Sequence, residues 1–363
     1  MTDQEYMQRA LQLAMNGSGF VNPNPLVGAV VVKNDRIIGE GWHVAYGMPH
    51  AERHALANCT EDPAGATVYV TLEPCCHTGK TPPCTDALIE AGVARVCMGA
   101  PDPNPKVAGK GVATLRAAGI EVTEGVLVEE CLRINDAFFH YITTGLPLVV
   151  LKYAMTLDGK IATKTGASKW ITSSIARERV HADRAKYAAI MVGVGTVLKD
   201  DPLLTCRIQG REVKNPLRVV CDTHLRTPLD CRIVGTAHEV PTIIATANAN
   251  EEDHAPFLEA GCQVLVLPVD QGKVSLPALI SELGKMGIDS VIVEGGAELI
   301  WSVVAAGLVN KVQAYVAPKL FGGSAAPTPV MGEGVSLPSE AFIFGTPRVE
   351  ALGEDLLIEC EVK

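Results

Sequence analysis

Val27-Gly28-Ala29-Val30-Val31-Val32-Lys33, then Asn34-Asp35, then Arg36-Ile37-Ile38-Gly39-Glu40, is the stretch on which the fold turns. A β-branched run meets two residues that tolerate a positive φ and then a second apolar run, which predicts a β-hairpin. Upstream, Tyr6, Met7, Ala10, Leu11 and Ala14 recur at helical spacing across residues 5–15, and Asn16-Gly17 supplies a stop. Downstream, a helix over 51–59, a strand over 67–72, a helix over 85–91 closed by Gly92 and a strand over 93–99 give the order β-β-α-β-α-β. Helices over 111–118 and 129–141 then lead to the turn Thr144-Gly145-Leu146-Pro147, where a domain boundary is expected.

Beyond that turn the alternation restarts. Strands are expected at 148–154, 189–194, 218–221, 242–245, 264–267 and 291–293, with helices at 175–187, 276–286 and 297–306, the last two stopped by Gly287 and Gly307. Residues 319–335, rich in Gly, Ala and Pro, read as a long loop. A chain of 363 residues, 47% apolar and 20% charged, has material for two α/β domains, 1–145 and 146–363, and not for a helical bundle.

The composition also excludes. A net charge of −10 offers no basic stripe for a phosphate backbone, so bulk nucleic-acid binding is disfavoured. Residues such as Lys152 and Asn310 break the best apolar stretches well short of the roughly 20 residues that span a bilayer, so no membrane partner is expected. Met1-Thr2-Asp3-Gln4-Glu5 carries neither the basic nor the apolar region of a secretory signal, and a cytoplasmic protein is expected. Eleven cysteines, an odd number without a regular framework, read as reduced thiols plus a metal site.

That metal site is read at His50-Ala51-Glu52, Pro74-Cys75 and Cys84. One imidazole and two thiols make three zinc ligands, leaving a fourth position for a water whose pKa falls toward roughly 7. Glu52 is the residue type to take that water's proton and return it to a leaving amine, provided it does not itself bind the metal. His-x-Glu followed by Pro-Cys and a second Cys ahead of a helix matches the zinc deaminase signature. The general signature spaces its cysteines Pro-Cys-x-x-Cys, whereas here 75–84 inserts a longer loop, so Cys76 and His77 are rival ligands.

The longer loop belongs to a wider pattern. Pro23-Asn24-Pro25-Leu26-Val27-Gly28, Gly41-Trp42-His43, Gly47-Met48-Pro49-His50-Ala51-Glu52, Glu73-Pro74-Cys75-Cys76-His77 with Thr81-Pro82-Pro83-Cys84, and Asp102-Pro103-Asn104-Pro105 closely resemble the bifunctional riboflavin-biosynthesis deaminase/reductase family. Ser168-Lys169-Trp170-Ile171-Thr172, Val192-Gly193-Val194-Gly195-Thr196, Asp200-Asp201-Pro202 and Val293-Glu294-Gly295-Gly296 extend the resemblance over nearly the whole chain. It implies a cytidine-deaminase-like three-layer αβα domain followed by a dihydrofolate-reductase-like α/β domain. The implied activity is removal of the 2-amino group of a diaminopyrimidinone ribosylamine 5′-phosphate, then NADPH-dependent reduction of its ribosyl group to a ribityl chain. A homo-oligomer acting on a small phosphorylated pyrimidine is expected.

In the first half Asn24 and His43 are ligand-contact candidates, or else a turn asparagine and an ordinary histidine. Lys80, beside Gly79, is a phosphate candidate, its alternative a solvated lysine. By the family pattern Asp102 and Asn104 border the ribose phosphate, although both also suit plain turns. Phe20-Val21-Asn22 stands where the family often has Thr.

In the second half Val192-Gly193-Val194-Gly195-Thr196 lacks the third glycine of a dinucleotide fingerprint, since position 198 is Leu198, so a Rossmann fold is rejected. The resemblance instead places the cofactor against Ala154, Trp170, Thr196, Asp200, Thr223 and the stretch Gly296, Ala297, Glu298, Leu299, Ile300, Trp301 and Ser302. It places the substrate against Ser168, Arg184, Leu204, Arg207 and Glu294, where guanidinium groups suit a sugar phosphate unless Arg184 pairs with a neighbouring acid. Lys152, Asp200 and Glu294 are candidate proton donors, and residue type does not choose among them. Ala188 and Asn310 depart from positions often acidic in the family.

Overall fold

The computed structural model describes residues 1–79, 81–208, 210 and 213–362. It divides into two compact units, Met1–Gly145 and Leu146–Lys363.

The first unit runs α1 (Asp3–Ala14), β1 (Gly28–Lys33), β2 (Arg36–Trp42), α2 (Ala51–Ala57), β3 (Thr67–Leu72), α3 (Cys84–Glu90), β4 (Arg95–Ala100), α4 (Lys110–Ala117), β5 (Glu121–Thr123), α5 (Val128–Ile134) and α6 (Asp136–Thr144). Thr2 and Glu5 form a capping box at the start of α1, whose predicted apolar face is buried. Asn34 and Asp35 adopt φ of 50° and 57°, so the hairpin turn forms as expected. The sheet order is β2-β1-β3-β4-β5, with β1 antiparallel to β2 and β3, and β3, β4 and β5 parallel.

Helices cover both faces of this sheet, and glycine permits the approach. A Cβ at Gly28 would lie 1.9 Å from the Ala10 carbonyl oxygen of α1, and one at Gly41 would lie 2.3 Å from the Ala55 nitrogen of α2. Gly28 pairs with Trp42 and Gly41 with Ala29, so the two glycines face opposite sides and the unit is a three-layer αβα sandwich.

The single helix expected over 129–141 is two. Asn135, 3% exposed, leaves helical geometry and uses its carboxamide on the Leu26 backbone: Oδ1 accepts from Leu26 N at 2.7 Å and Nδ2 donates to Leu26 O at 2.9 Å. The break therefore anchors the loop that carries Asn24.

The second unit runs β6 (Leu148–Thr156), α7 (Ser174–Lys186), β7 (Ala189–Gly193), α8 (Val194–Asp200), β8 (Leu217–Cys221), α9 (Arg232–Gly235), β9 (Thr242–Thr246), α10 (Glu251–Glu259), β10 (Gln263–Val266), β11 (Val269–Asp270), β12 (Lys273–Val274), α11 (Leu276–Lys285), β13 (Ser290–Val293), α12 (Ala297–Ala305), β14 (Lys311–Ala317), β15 (Arg348–Leu352) and β16 (Asp355–Glu361). Its nine-stranded sheet, β10-β9-β8-β7-β13-β6-β14-β16-β15, is parallel up to β14 and antiparallel across β14, β16 and β15.

Sequence patterning missed α8, α9, α10 and β14 to β16. Strand β14 hides its pattern because Lys311 and Gln313 are buried in it, made tolerable by Glu359 of β16 at 3.7 Å and 3.0 Å. Helix α10 is short, opens on three acidic residues and contains Pro256, so it shows no clean apolar stripe. Among the described residues no helix is long and apolar enough to cross a membrane.

Gly28→Ala is expected to destabilise the first unit by about 1–3 kcal/mol or more through overpacking against α1, read as a drop in the denaturation midpoint.

Candidate active sites

Each of the three metal-ligand candidates follows a proline, Pro49, Pro74 or Pro83, which fixes the chain as it enters the site. His50 is the N-cap of α2 and Cys84 is the first residue of α3. The Cys75 carbonyl accepts from Cys84 N at 3.0 Å and Thr85 N at 3.2 Å, tying the loop to the start of α3. Arg53 donates to the Pro82 and Pro83 carbonyls at 3.2 and 2.7 Å and holds the segment just before Cys84.

The result is a cluster in which the Cys75 and Cys84 sulfurs each lie 3.4 Å from His50 Nδ1, with all ligand atoms within 4.8 Å of one another. Tetrahedral zinc with Zn–S near 2.3 Å and Zn–N near 2.0 Å sets N···S at about 3.5 Å, so the donor set fits that metal. Thr81 Oγ1 lies 3.3 Å from His50 Nε2, which directs the Nε2 proton to the threonine and leaves Nδ1 for the metal. Cys84, donating to Cys75, and the adjacent His50 hold the Cys75 thiol well below its usual range, while its partner and burial push Cys84 up. The rival ligands stand outside the group: the Cys76 thiol turns to the Lys106 carbonyl at 3.7 Å, and His77 is not among the clustered atoms.

Glu52 sits in the first turn of α2, 4% exposed, and burial together with the Cys75 charge pushes its carboxyl up to about 7. His43, 2% exposed, donates from Nδ1 to the Pro49 carbonyl at 3.2 Å and so accepts from Asn24 Nδ2 through Nε2 at 3.1 Å. Burial pushes its pKa down, and the neutral ring packs edge-on against His50 at 5.3 Å. Asn24, His43, His50, Glu52, Cys75, Asp102 and Asn104 all line one cavity of about 430 Å³. Burial pushes Asp102 up to about 6, and its Oδ1 accepts from Asn104 N at 2.9 Å. Lys80 lies outside the described residues.

Sequence reasoning assigned no role to Glu73. It is 3% exposed and accepts four backbone N–H bonds, from Gly109 (3.1 Å), Asp102 (3.4 Å), Gly111 (3.0 Å) and Val112 (3.3 Å). The residue before Pro74-Cys75 thereby pins the loop that carries Asp102 and Asn104. Its position at the end of β3 was the available signal.

In the second unit the register pairs Leu151 with Val293, which brings the following residues, Lys152 and Glu294, side by side. Lys152 Nζ lies 3.4 Å from Glu294 Oε2, while Arg184 Nε and Nη2 each lie 2.7 Å from a Glu294 oxygen in a bidentate fork. Burial opposes ionisation, but Arg184 and Lys152 hold Glu294 at about 2. Arg184 therefore takes up the alternative the sequence left open, pairing with an acid, and its third nitrogen, Nη1, donates to the Thr205 carbonyl at 3.2 Å. Arg207 is exposed and donates from Nη1 to Thr205 Oγ1 at 3.3 Å.

His181 was also missed. It lies one turn before Arg184 on α7, its Nδ1 buried without a partner among the described residues. Burial, Arg184 and Arg207 push its pKa down to about 4.

The cofactor candidates fall around strand ends of this unit. Ala154 lies on β6, Thr196 on α8, Asp200 is exposed at the end of α8, and Thr223 follows β8 with its hydroxyl accepting from Val274 N at 3.1 Å. Gly296 is the N-cap of α12 without a side-chain cap, and Gly295 before it has φ of 124°, open only to glycine. Uncapped N–H groups at such a helix start suit a cofactor phosphate. Of the rest of that stretch, Leu299 and Ile300 enter the core, Glu298 pairs with Lys273 at 3.3 Å, and Ser302 bonds the Glu298 carbonyl. Trp301 stacks edge-on with Phe342. Trp170 is 64% exposed beneath the Arg177 guanidinium at 4.4 Å, and Ser168 is half-buried.

Residues 1–100 match the cytidine and deoxycytidylate deaminase zinc-binding region, and 147–358 match the RibD C-terminal domain. The riboflavin biosynthesis protein RibD of Actinobacillus pleuropneumoniae is 52% identical over 99% of this chain and 95% of its own, and that of Aquifex aeolicus 44% over 98% and 97%. Among solved structures, the diaminohydroxyphosphoribosylaminopyrimidine deaminase/5-amino-6-(5-phosphoribosylamino)uracil reductase of Thermotoga maritima is 40% identical with a TM-score of 0.87. Acinetobacter baumannii RibD, form 1, is 37% identical with the same TM-score, and each comparison covers 99% of both chains.

Cys84→Ser is expected to lose bound zinc and Cys76→Ser to retain one ion per chain, by elemental analysis of the purified variants. Glu73→Gln, which turns an amide toward buried donors, is expected to cost about 2–4 kcal/mol in urea unfolding.

Proposed function

The chain belongs to the RibD family of riboflavin biosynthesis proteins, and we propose roles for its own residues in the two reactions of that family. It is a bifunctional enzyme, a zinc-dependent deaminase followed by an NADPH-dependent reductase. It converts 2,5-diamino-6-ribosylamino-4(3H)-pyrimidinone 5′-phosphate to 5-amino-6-(5-phosphoribitylamino)uracil. The assignment of the two activities to 1–145 and 146–363 is part of the proposal.

In the deaminase half His50, Cys75 and Cys84 hold the metal. Zinc there supplies Lewis acidity that makes water a nucleophile near neutral pH. Glu52 takes a proton from the attacking water and delivers it to the 2-amino nitrogen, so that ammonia leaves and a ring carbonyl forms. The single observation that carries this is the gathering of the His50, Cys75 and Cys84 ligand atoms within 4.8 Å of one another, with the buried Glu52 lining the same cavity as His50 and Cys75. Asn24, oriented by neutral His43, and the Asp102 to Asn104 loop, pinned by Glu73, bind the ring and ribose phosphate, with Lys80 on the phosphate.

In the reductase half NADPH supplies hydride to the sugar carbon of the ring-opened substrate. Lys152 is the proton donor: Glu294 stays ionised down to about 2 and cannot donate at neutral pH, and Asp200 is exposed. Glu294 orients Lys152 and Arg184, leaving Arg207 for the phosphate, with Ser168 and Leu204 lining the substrate. Trp170, Ala154, Thr196, Asp200, Thr223 and the 296–302 stretch bind the cofactor. We further take the enzyme to be a cytoplasmic homo-oligomer with no nucleic-acid or membrane partner; the net charge of −10 supports the nucleic-acid part, and the oligomer is carried over from the family resemblance.

Two variants separate the sites in a dual assay of ammonia release and NADPH oxidation. Glu52→Gln is expected to abolish ammonia release while leaving reduction of the already deaminated compound intact; loss of both signals would sink the two-site assignment. Lys152→Met is expected to slow reduction by about 10²–10⁴-fold with NADPH binding, followed by cofactor fluorescence, retained.

A further inference from the structure

Arg218, the second residue of β8, has no accessible surface, and among the described residues it forms no salt bridge. All its N–H groups are spent on neutral oxygens. Nε donates to Thr242 Oγ1 at 3.0 Å, and Nη1 to Thr236 Oγ1 at 2.8 Å and the Leu203 carbonyl at 3.2 Å. Nη2 donates to the carbonyls of Ile233 (2.9 Å), Val240 (2.9 Å) and Thr236 (3.2 Å). A cation buried without a counter-ion is a costly way to fill a core, and neutral side chains pack as well. What only a guanidinium achieves is to reach three segments at once: the C-terminal carbonyls of α9, the chain before β9, and the loop after α8.

That loop is the one that carries Leu204 and Arg207. Leu204 is 4% exposed and adopts φ of 53°, a left-handed conformation unfavourable for leucine, so its surroundings must hold it there. The carbonyls on either side are gripped by guanidinium groups, Leu203 by Arg218 and Thr205 by Arg184. Helix α9, whose C-terminus Arg218 caps, grips the same loop from its other end, where Arg232 N donates to Asp201 Oδ1 at 2.8 Å.

We propose that Arg218 is a positioning residue for substrate in the reductase site: through the Leu203 carbonyl and the α9 clamp it fixes the turn at Leu204 and thereby the place of Arg207. It touches neither substrate nor cofactor. The inference rests on the reading of Leu204 and Arg207 as substrate residues.

The test is steady-state kinetics on the full-length zinc-loaded enzyme carrying Arg218→Lys, which keeps the charge but cannot span three segments. The expected result is a KM for the deaminated phosphoribosylamino substrate raised about tenfold or more, with the NADPH KM and the ammonia-release rate within about twofold of wild type. An unchanged substrate KM, or an equal rise in both reductase KM values, overturns the proposal. Should the lysine variant not fold, Asp201→Ala cuts the clamp at the surface, where Asp201 is exposed. The same one-sided rise in KM is then expected, and its absence overturns the proposal. Arg207→Ala in parallel separates the two layers. If it leaves the substrate KM unchanged, the reading of Arg207 has failed; if it raises KM while the Arg218 and Asp201 variants do not, only the positioning role has failed.

Discussion

Parallel strand pairing sets strand ends of one polarity side by side, and both sites of this chain are assembled on such rows of C-terminal ends. In the first unit Leu72 of β3 is in register with Ala100 of β4, so Glu73 and Cys75 leave one strand beside the point where Asp102 leaves the other. In the second, Val293 is paired with both Leu151 and Met191, which delivers Glu294 to Lys152 on one side and sets β7, leading into Thr196, on the other. Register is a discrete quantity: a slip of one residue turns Lys152 to the opposite face and leaves Glu294 without its partner.

Three buried glutamates show how the surroundings, and not burial itself, assign a role. Burial alone raises a carboxyl's pKa. Glu73 has four backbone N–H groups aimed at it and serves as a structural clasp. Glu294 meets two cations that overwhelm burial and hold it at about 2, where it is a fixed anion. For Glu52, burial and the Cys75 charge outweigh His50, its own backbone N–H and the Cys84 thiol and leave it near 7, where proton transfer in both directions is possible at neutral pH. The same residue type thus becomes a clasp, an anchor and, in the proposed deamination, a proton carrier.

The first unit was largely legible because its strands alternate with amphipathic helices and because its chemistry lies in contiguous motifs: His50 to Glu52, Pro74-Cys75 and Cys84 each declare themselves locally. The second was less so. Lys311 and Gln313 break the apolar run of β14 and are explained only by Glu359, which lies 46 residues beyond Gln313. The Arg184–Glu294 pair spans 110 residues, so motif reading named both residues and left open that Arg184 pairs with an acid, without joining the two. Asn135 looked like one more helical residue because the Leu26 backbone it serves lies 109 residues away. What spacing cannot convey is a side chain whose partner is a distant backbone or charge.

The commitment of Arg184 reshapes the electrostatics of the reductase site. Glu294 carries one negative charge against the two positive charges of Lys152 and Arg184, so the cluster keeps a net positive charge without either cation being free to roam. Burial, with Arg184 and Arg207, lowers His181 to about 4, so the imidazole is uncharged at neutral pH and adds no cation to the group. On the proposed reading, a phosphorylated substrate meets a fixed positive background from the buried cluster and the exposed guanidinium of Arg207. Because Arg207 is exposed on a loop, its precision depends on what holds that loop, and the structure supplies this through carbonyl contacts to Arg184 and Arg218 on either side of Leu204. On that reading, charge and placement fall to different residues, so the arm proposed for the phosphate stays accessible while the groups that fix it stay dry.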